Sequence, residues 1–277
     1  MNQHPAISEG RVAVITGGAS GIGLAAAHRL GEAGMRLVIA DIAEETLAQS
    51  GTALRERGFE VATVRTDVSV RSDIQALKSE ADRLGQVSLL MNNAGRSGQG
   101  RILGDPEVWE KIIGTNMMGP LWGIQAFLPD MLAADWPCAI VNTGSKQGIT
   151  LPPGNSAYNV SKAGLKALTE LLAHDLLETK GRVSAHLLIP GFTYTGLIRA
   201  AIPEKPPAAW TPEQVIDFLM AAMARGDFYI LCPDNEVTRE MDEKRIAWTA
   251  GDIIENRPAL SRWHPDYAEA FRSFVGS

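Results

Sequence analysis

Short runs of aliphatic, largely β-branched residues recur along the chain, each followed by a stretch with helical spacing. No other feature constrains the fold as much. The runs fall at residues 11–15, 36–41, 60–68, 88–91, 138–143, 183–189 and 228–231. Between them, residues 44–57 place Leu47 and Leu54 seven apart and stop at Gly58, and residues 73–84 stop at Gly85. Residues 108–132 read as helix in two pieces, bent near Gly119 and Pro120, and residues 157–179 as one long helix. Strand–helix–strand alternation at this spacing calls for parallel strands joined by right-handed crossovers. The expected fold is therefore α/β: a doubly wound, mostly parallel seven-stranded sheet with helices on both faces. Such sheets bind ligands outside the carboxyl ends of their strands, where the strand order reverses.

Composition narrows the setting. Of 277 residues, 45% are hydrophobic and 21% charged, enough apolar surface to order most of the chain. Twenty-six basic against 32 acidic residues give a net charge of −6, which argues against nucleic acid or an anionic membrane as partner. Cys138 and Cys232 make no disulfide framework, which points to a reducing, cytoplasmic setting. No apolar run reaches the roughly 18 residues that a membrane span needs. Residues 1–10 are polar, with no basic start leading into an apolar stretch, and are expected to be a flexible front rather than a secretory leader. Residues 11–233 are expected to form one dinucleotide-binding catalytic domain of the Rossmann type, and residues 234–277 an extension packed on it.

The segment Thr16-Gly-Gly-Ala-Ser-Gly-Ile-Gly23 joins the first run to the first helix. Gly17, Gly21 and Gly23 leave no side chains where the chain must turn sharply and a pyrophosphate must reach the backbone. Ser20 and Ile22 share that turn, and the helix start adds unpaired N–H groups and a positive dipole end. No Gly-Lys-Ser/Thr follows, so a P-loop nucleotidase is excluded. Asp41 ends the second run twenty residues after Gly21, the spacing at which a carboxylate meets the adenosine ribose hydroxyls. It would repel a 2′-phosphate, and Ala19 and Ser20 put no base in the loop, so NAD is expected over NADP. As a plain structural alternative, Asp41 caps the next helix. Asp67 and Val68 end the third run, where Asp67 either bonds an adenine amino group or caps a helix. Asn92, Asn93, Ala94 and Gly95 end the fourth, where they hold a turn, admit a cofactor, or both.

Tyr158 and Lys162 lie four apart on an expected helix and so share a face. Ser145 stands thirteen residues before Tyr158, at the end of the fifth run. A phenol with a pKa of about 10 is a poor base at neutral pH. A neighbouring ammonium would lower it by roughly 1–3.

Together these residues resemble the short-chain dehydrogenase/reductase family in its ordinary single-domain form. The likeness rests on the glycine loop, Asp41, Asp67, Asn92–Gly95, Asn116, Ser145, Tyr158-x-x-x-Lys162 and Pro190-Gly191, and runs from residue 11 to about 195. It implies hydride transfer between nicotinamide and an alcohol or carbonyl carbon. Tyr158 would be the general acid/base. Lys162 would tune it and bind the nicotinamide ribose, and Ser145 would hold the substrate oxygen. Asn116 would anchor a water relaying protons. Pro190, Gly191 and Thr193 would meet the carboxamide, with Thr195 near it or the pyrophosphate.

The chain departs from that pattern after residue 233, where more than forty residues carry Trp248 and Trp263. They are expected to cover the substrate pocket, to serve an interface, or simply to pack as a surface helix. The usual tetramer is therefore in doubt, and a homodimer or homotetramer through the helices around 114–132 and 157–179 is expected. A loop at 194–212 reads as a lid whose Leu197, Ile198, Ile202 and Trp210 suggest a largely apolar alcohol or ketone substrate. Lys146 and Arg96 would either receive a substrate carboxylate or face solvent. His174, His186 and His264 match no metal-ligand spacing, so no metal is expected. A sugar-nucleotide epimerase or dehydratase, and a catalytically idle dinucleotide-binding protein, are the competing readings.

Overall fold

The computed structural model describes residues 3–98, 100–196 and 202–276. Its strands are β1 (Val12–Thr16), β2 (Arg36–Asp41), β3 (Val61–Arg65), β4 (Val87–Asn92), β5 (Cys138–Thr143), β6 (Val183–Ile189) and β7 (Tyr229–Leu231). The helices are α1 (Gly21–Glu32), α2 (Glu44–Glu56), α3 (Arg71–Leu84), α4 (Pro106–Ile113), α5 (Gly119–Ala133), α6 (Gln147–Thr150), α7 (Ser156–Asp175), α8 (Pro212–Arg225), α9 (Arg239–Ile254) and α10 (Ala268–Gly276). The strands pair in parallel throughout, in the order 3-2-1-4-5-6-7. This is the doubly wound, Rossmann-type sheet that the alternation implies, with the order reversing between β1 and β4.

Side chains alternate across each strand, and the two faces fill two cores. Ala13, Ile15, Leu37 and Ile39 pack against α1, α2 and α8 through Leu30, Leu54 and Leu219. Val12, Val14, Val38 and Leu90 pack against α3, α5 and α7 through Leu77, Phe127 and Leu172. The start of α8 shows how local sequence sets an element. Thr211 Oγ1 accepts the Gln214 N–H (3.3 Å), Gln214 Oε1 accepts the Thr211 N–H (2.9 Å), and Pro212 takes the first position, where no N–H is needed.

The helical stretch after β4 is interrupted one turn earlier than the glycine–proline pair suggests. Residues Gly114–Met118 form a π-helical turn between α4 and α5. Pro120 has no N–H to give to the Asn116 carbonyl four residues back, so regular α-helix cannot run through this point.

Two expectations are corrected. Residues 3–10 are not a loose front: Ala6 and Ile7 are buried, and Ser88 Oγ donates to the Ala6 carbonyl (2.6 Å). His4 is also buried, meeting His186 edge-on at 5.2 Å between ring centroids. A short apolar pair can dock against the central strands without any periodic signal. The third strand ends at Arg65 rather than Val68, because Asp67 and Ser69 form a turn: Asp67 Oδ1 accepts the Ser69 N–H (2.9 Å) and hydroxyl (2.6 Å). Trp248 is buried against Phe271 and Phe274, and Trp263 Nε1 donates to the Thr150 carbonyl (3.2 Å).

A buried amide ladder crosses the middle of the sheet. Asn92 Nδ2 donates to Asn142 Oδ1 (2.8 Å), and Asn142 Nδ2 donates to Thr169 Oγ1 on α7 (3.0 Å). Asn142→Leu would remove both of these bonds, leaving Asn92 Nδ2 only the Pro120 carbonyl (3.5 Å) and Thr169 Oγ1 only the Leu165 carbonyl (2.7 Å). It is expected to lower stability by about 2 kcal/mol, measured by chemical denaturation. An unchanged midpoint would show that the ladder is dispensable.

Candidate active site

The carboxyl ends of the strands open into a cleft of about 690 Å³. At one end the β1–α1 turn presents Gly17, Ser20, Gly21 and Ile22 to it. Gly17 has φ +64°, and a Cβ there would fall 2.8 Å from Ala94 Cα. Gly23 does not line the cleft. A Cβ on it would lie 2.1 Å from the Gly17 carbonyl oxygen, so its glycine lets α1 start directly beneath the turn.

The turn is pinned from β4. Thr16 Oγ1 accepts the N–H groups of Asn93 (3.0 Å) and Ala94 (3.1 Å). Asn93 Nδ2 donates to the carbonyls of Thr16 and Gly17, both at 3.2 Å. Asn93, Ala94 and Gly95 thus line the cleft while holding the turn, so the structural role left open by the sequence is realised here.

Asp41 lines the same end. Its Oδ2 accepts the Ala19 N–H (3.2 Å) and its Oδ1 the Ala43 N–H (3.1 Å), which fixes the carboxylate at the mouth of the glycine turn. Arg65, opposite Asp41 in the β2–β3 register, pairs with Asp73 at 3.6 Å. Asp67 and Val68 also line the cleft. The glycine turn, with no side chains to fill it, and a carboxylate at ribose distance along the strand ends fit a dinucleotide.

At the other end stand Ser145, Tyr158 and Lys162. Ser145 Oγ accepts the Gln147 N–H (3.1 Å) at the start of the short α6, and Ser145 and Tyr158 line the same part of the cleft. Burial pushes the Tyr158 hydroxyl above its ordinary value, and the nearby Ser145 hydroxyl only partly opposes this. The expected lowering by Lys162 is not the dominant effect. Lys162 Nζ lies 5.8 Å from the Tyr158 ring centroid and donates to the Thr143 carbonyl (2.7 Å). Lys162 is 4% exposed, has no carboxylate partner among the described residues, and is pulled down by burial to about 8.

Asn116 lies beneath the site, in the π-helical turn, and does not line the cleft. Its side chain is spent on the chain itself: Oδ1 accepts the Arg96 N–H (2.8 Å), and Nδ2 donates to the Arg96 carbonyl and to Ser161 Oγ, both at 3.0 Å.

Pro190, Gly191, Thr193 and Thr195 line the roof after β6. A Cβ on Gly21 would meet Thr195 Cβ at 3.3 Å, so this loop closes down on the glycine turn. Of the residues expected to make an apolar pocket, Leu197 and Ile198 lie outside the described residues. Trp210 stacks edge-on against Phe218 at 5.9 Å, in the α1–α8 layer and away from the cleft. The substrate end is instead lined by Arg96, Ser97, Lys146, Gln147 and Phe192. Lys146 turns from solvent into an ion cluster with Asp234 and Asp242, which the sequence reading missed. Acidic residues 88 and 96 positions away carry no signal of it.

The glycine turn, the Asp41 carboxylate and the Ser145, Tyr158 and Lys162 side chains thus line one cleft at the strand ends of a doubly wound sheet. The family model for short chain dehydrogenases matches residues 11–206. A short-chain dehydrogenase/reductase of Burkholderia phymatum, solved with NAD, superposes with a TM-score of 0.81 at 35% identity, over 90% of this chain and 96% of that one. A metagenomic short-chain oxidoreductase solved with NADP superposes with a TM-score of 0.69 at 28% identity, over 82% and 98%. The 3beta-hydroxysteroid dehydrogenase 2 of Eggerthella lenta is 33% identical over 198 residues, 70% of this chain and 75% of its own. The chain spans about two thirds of the length of some curated relatives, 66% in one case. The chain belongs to the short-chain dehydrogenase/reductase family of oxidoreductases. Among the described residues, no helix is long and apolar enough to cross a membrane, and no three His, Cys, Asp or Glu side chains gather to hold a metal.

A buried ammonium without a counter-ion weakens the fold. Lys162→Met is expected to raise the thermal midpoint at pH 7 by about 3 °C. The folded pKa, about 8, lies below the unfolded 10.5. Between those values the unfolded chain keeps a proton that the folded one has lost, so the wild type gains stability as pH rises and the gap narrows. A variant less stable than the wild type at pH 7 contradicts this.

Proposed function

We propose that this chain is an NAD(H)-dependent enzyme that moves a hydride between nicotinamide and a secondary alcohol or its ketone, with Tyr158 as general acid/base. One observation carries the reading: the Ser145–Tyr158 pair and Lys162 open into the same cleft as the glycine turn and Asp41. When bound there, nicotinamide supplies the two-electron partner and, oxidised, a positive charge.

The chain supplies the proton. Burial keeps Tyr158 protonated at neutral pH, ready to protonate a carbonyl oxygen as it gains charge during reduction. Ser145, its oxygen engaged by the Gln147 N–H, offers its own proton to the same substrate oxygen. In oxidation Tyr158 must first lose its proton, so this direction is favoured as pH rises. Lys162 holds the nicotinamide ribose. The Asn116 carbonyl, denied an α-helical donor by Pro120, accepts a water that carries protons outward from Lys162.

The preference for NAD rests on Asp41. Its anchored carboxylate faces the place of a 2′-phosphate, Ala19 and Ser20 add no base, and Arg65 is spent on Asp73. The roof residues Pro190, Gly191, Thr193 and Thr195 enclose the nicotinamide end. Two separate buried thiols, Cys138 and Cys232, suit a cytoplasmic protein. Exposed Leu132, Val160, Leu171 and Leu177, on or next to α5 and α7, suit a homo-oligomer joined through those helices.

NADH formation across a panel of secondary alcohols tests the reaction. Tyr158→Phe should cut turnover about 10²–10⁴-fold while leaving NADH binding nearly unchanged. Unchanged turnover would remove Tyr158 from its role. Fluorescence titration tests the cofactor. The wild type should prefer NADH to NADPH by about tenfold or more, and Asp41→Ala should narrow that ratio. Equal wild-type affinities would overturn the preference.

A further inference from the structure

We propose that the segment beyond β7 positions the catalytic end of the cleft, through a buried carboxylate hub formed by Asp234 and supported by Asp242. Asp234 has a side chain only 6% exposed and is tied in three directions. Its Oδ2 accepts the Phe192 N–H (3.3 Å) from the loop after β6 and lies 3.4 Å from Lys146 Nζ, beside Ser145. Its Oδ1 accepts the N–H groups of Val237 (2.8 Å) and Glu236 (3.2 Å), which shapes the turn leading into α9. From α9, Asp242 Oδ2 meets Lys146 Nζ at 2.6 Å, and Asp242 Oδ1 lies 3.7 Å from Arg245 Nη1.

The fit is close. A Cβ on Gly191 would fall 2.8 Å from Asp234 Oδ2 and 3.0 Å from Lys146 Nζ, so the roof loop rests directly on the hub. The next residue, Asn235, extends the same role to the loop before α8. Its N–H donates to the Ala208 carbonyl (3.1 Å), and its Nδ2 donates to the Ala209 carbonyl (3.4 Å). Lys146, Gly191 and Phe192 all line the cleft, whereas no lining residue comes from beyond β7. The extension therefore acts on the site through others, and Asp234 and Asp242 are positioning residues.

Such a cluster suits positioning better than stabilising. Desolvating its charges costs about as much as their attraction returns, but each charge fixes where its partner must sit. Here the partners belong to the two walls at the Ser145 end. The proposal rests on the reading that nicotinamide occupies that end.

Two probes separate the ends of the cleft: NADH, followed by its fluorescence, and ADP-ribose, which lacks nicotinamide, followed by calorimetry. The variants are Asp234→Asn and the double substitution Lys146→Met with Asp234→Asn. In the double variant Asp242 keeps Arg245 as counter-ion, so no ammonium is left buried with a missing partner. Both variants are expected to bind ADP-ribose within about twofold of the wild type and NADH about tenfold more weakly, with altered bound emission. NADH affinity and emission equal to the wild type would overturn the hub and leave the cofactor reading intact. Loss of both ligands in both variants would also overturn it, since the cluster would then hold up the fold rather than one end of the cleft. A wild type that binds neither probe would sink the cofactor reading itself.

Discussion

Strands β1 and β4 stay hydrogen-bonded as neighbours, yet the segments that follow them leave for opposite sides of the sheet. Their carboxyl ends must part without exposing a ragged edge of backbone. Thr16 and Asn93 meet that demand: one hydroxyl takes two N–H groups from β4, and one amide returns two bonds to the β1 turn. The glycine turn is therefore held open by atoms outside itself. Its small residues remove steric bulk, and the polar pins aim the backbone. Removing either would leave a cleft of similar size with no fixed donors.

The two lysines at the catalytic end are treated in opposite ways. Lys146 is paired with two buried carboxylates, Asp234 and Asp242. Burial also pushes Asp242 above the ordinary range for a carboxyl group, with Lys146 pulling against it. Lys162 has a carbonyl and no carboxylate among the described residues, and burial draws its pKa down. A group poised between charged and neutral can respond to a ligand, and a fully neutralised one cannot. Burial without a counter-ion costs stability at Lys162, whereas the paired carboxylates fix the position of Lys146.

The fold was legible because aliphatic, β-branched runs and glycine stops lie on the surface of the sequence, and the strand ends then collected Asp41, Ser145 and Pro190 in one cleft. Local pairings were legible too, since Tyr158 and Lys162 share a helix face by spacing alone. What escaped were contacts that only the third dimension creates. Trp210 reads as a pocket residue but joins Phe218 beneath α8. Residues 3–10 look loose, yet Ala6 and Ile7 are buried against the central strands. Burial raises the Tyr158 pKa, with only Ser145 opposing it, which counting four residues along a helix does not reveal. Nothing in the sequence links Asp234 and Asp242 to Lys146, which they meet only through the path of the chain beyond β7.

A crystal structure of the protein with NAD⁺ tests the central claim most directly. The adenosine ribose should lie on Asp41, the pyrophosphate over Gly17–Gly21, and the nicotinamide ring beside Tyr158, with Lys162 on its ribose. A dinucleotide bound in the reverse sense, or a Tyr158 hydroxyl turned away from the nicotinamide ring, would contradict it.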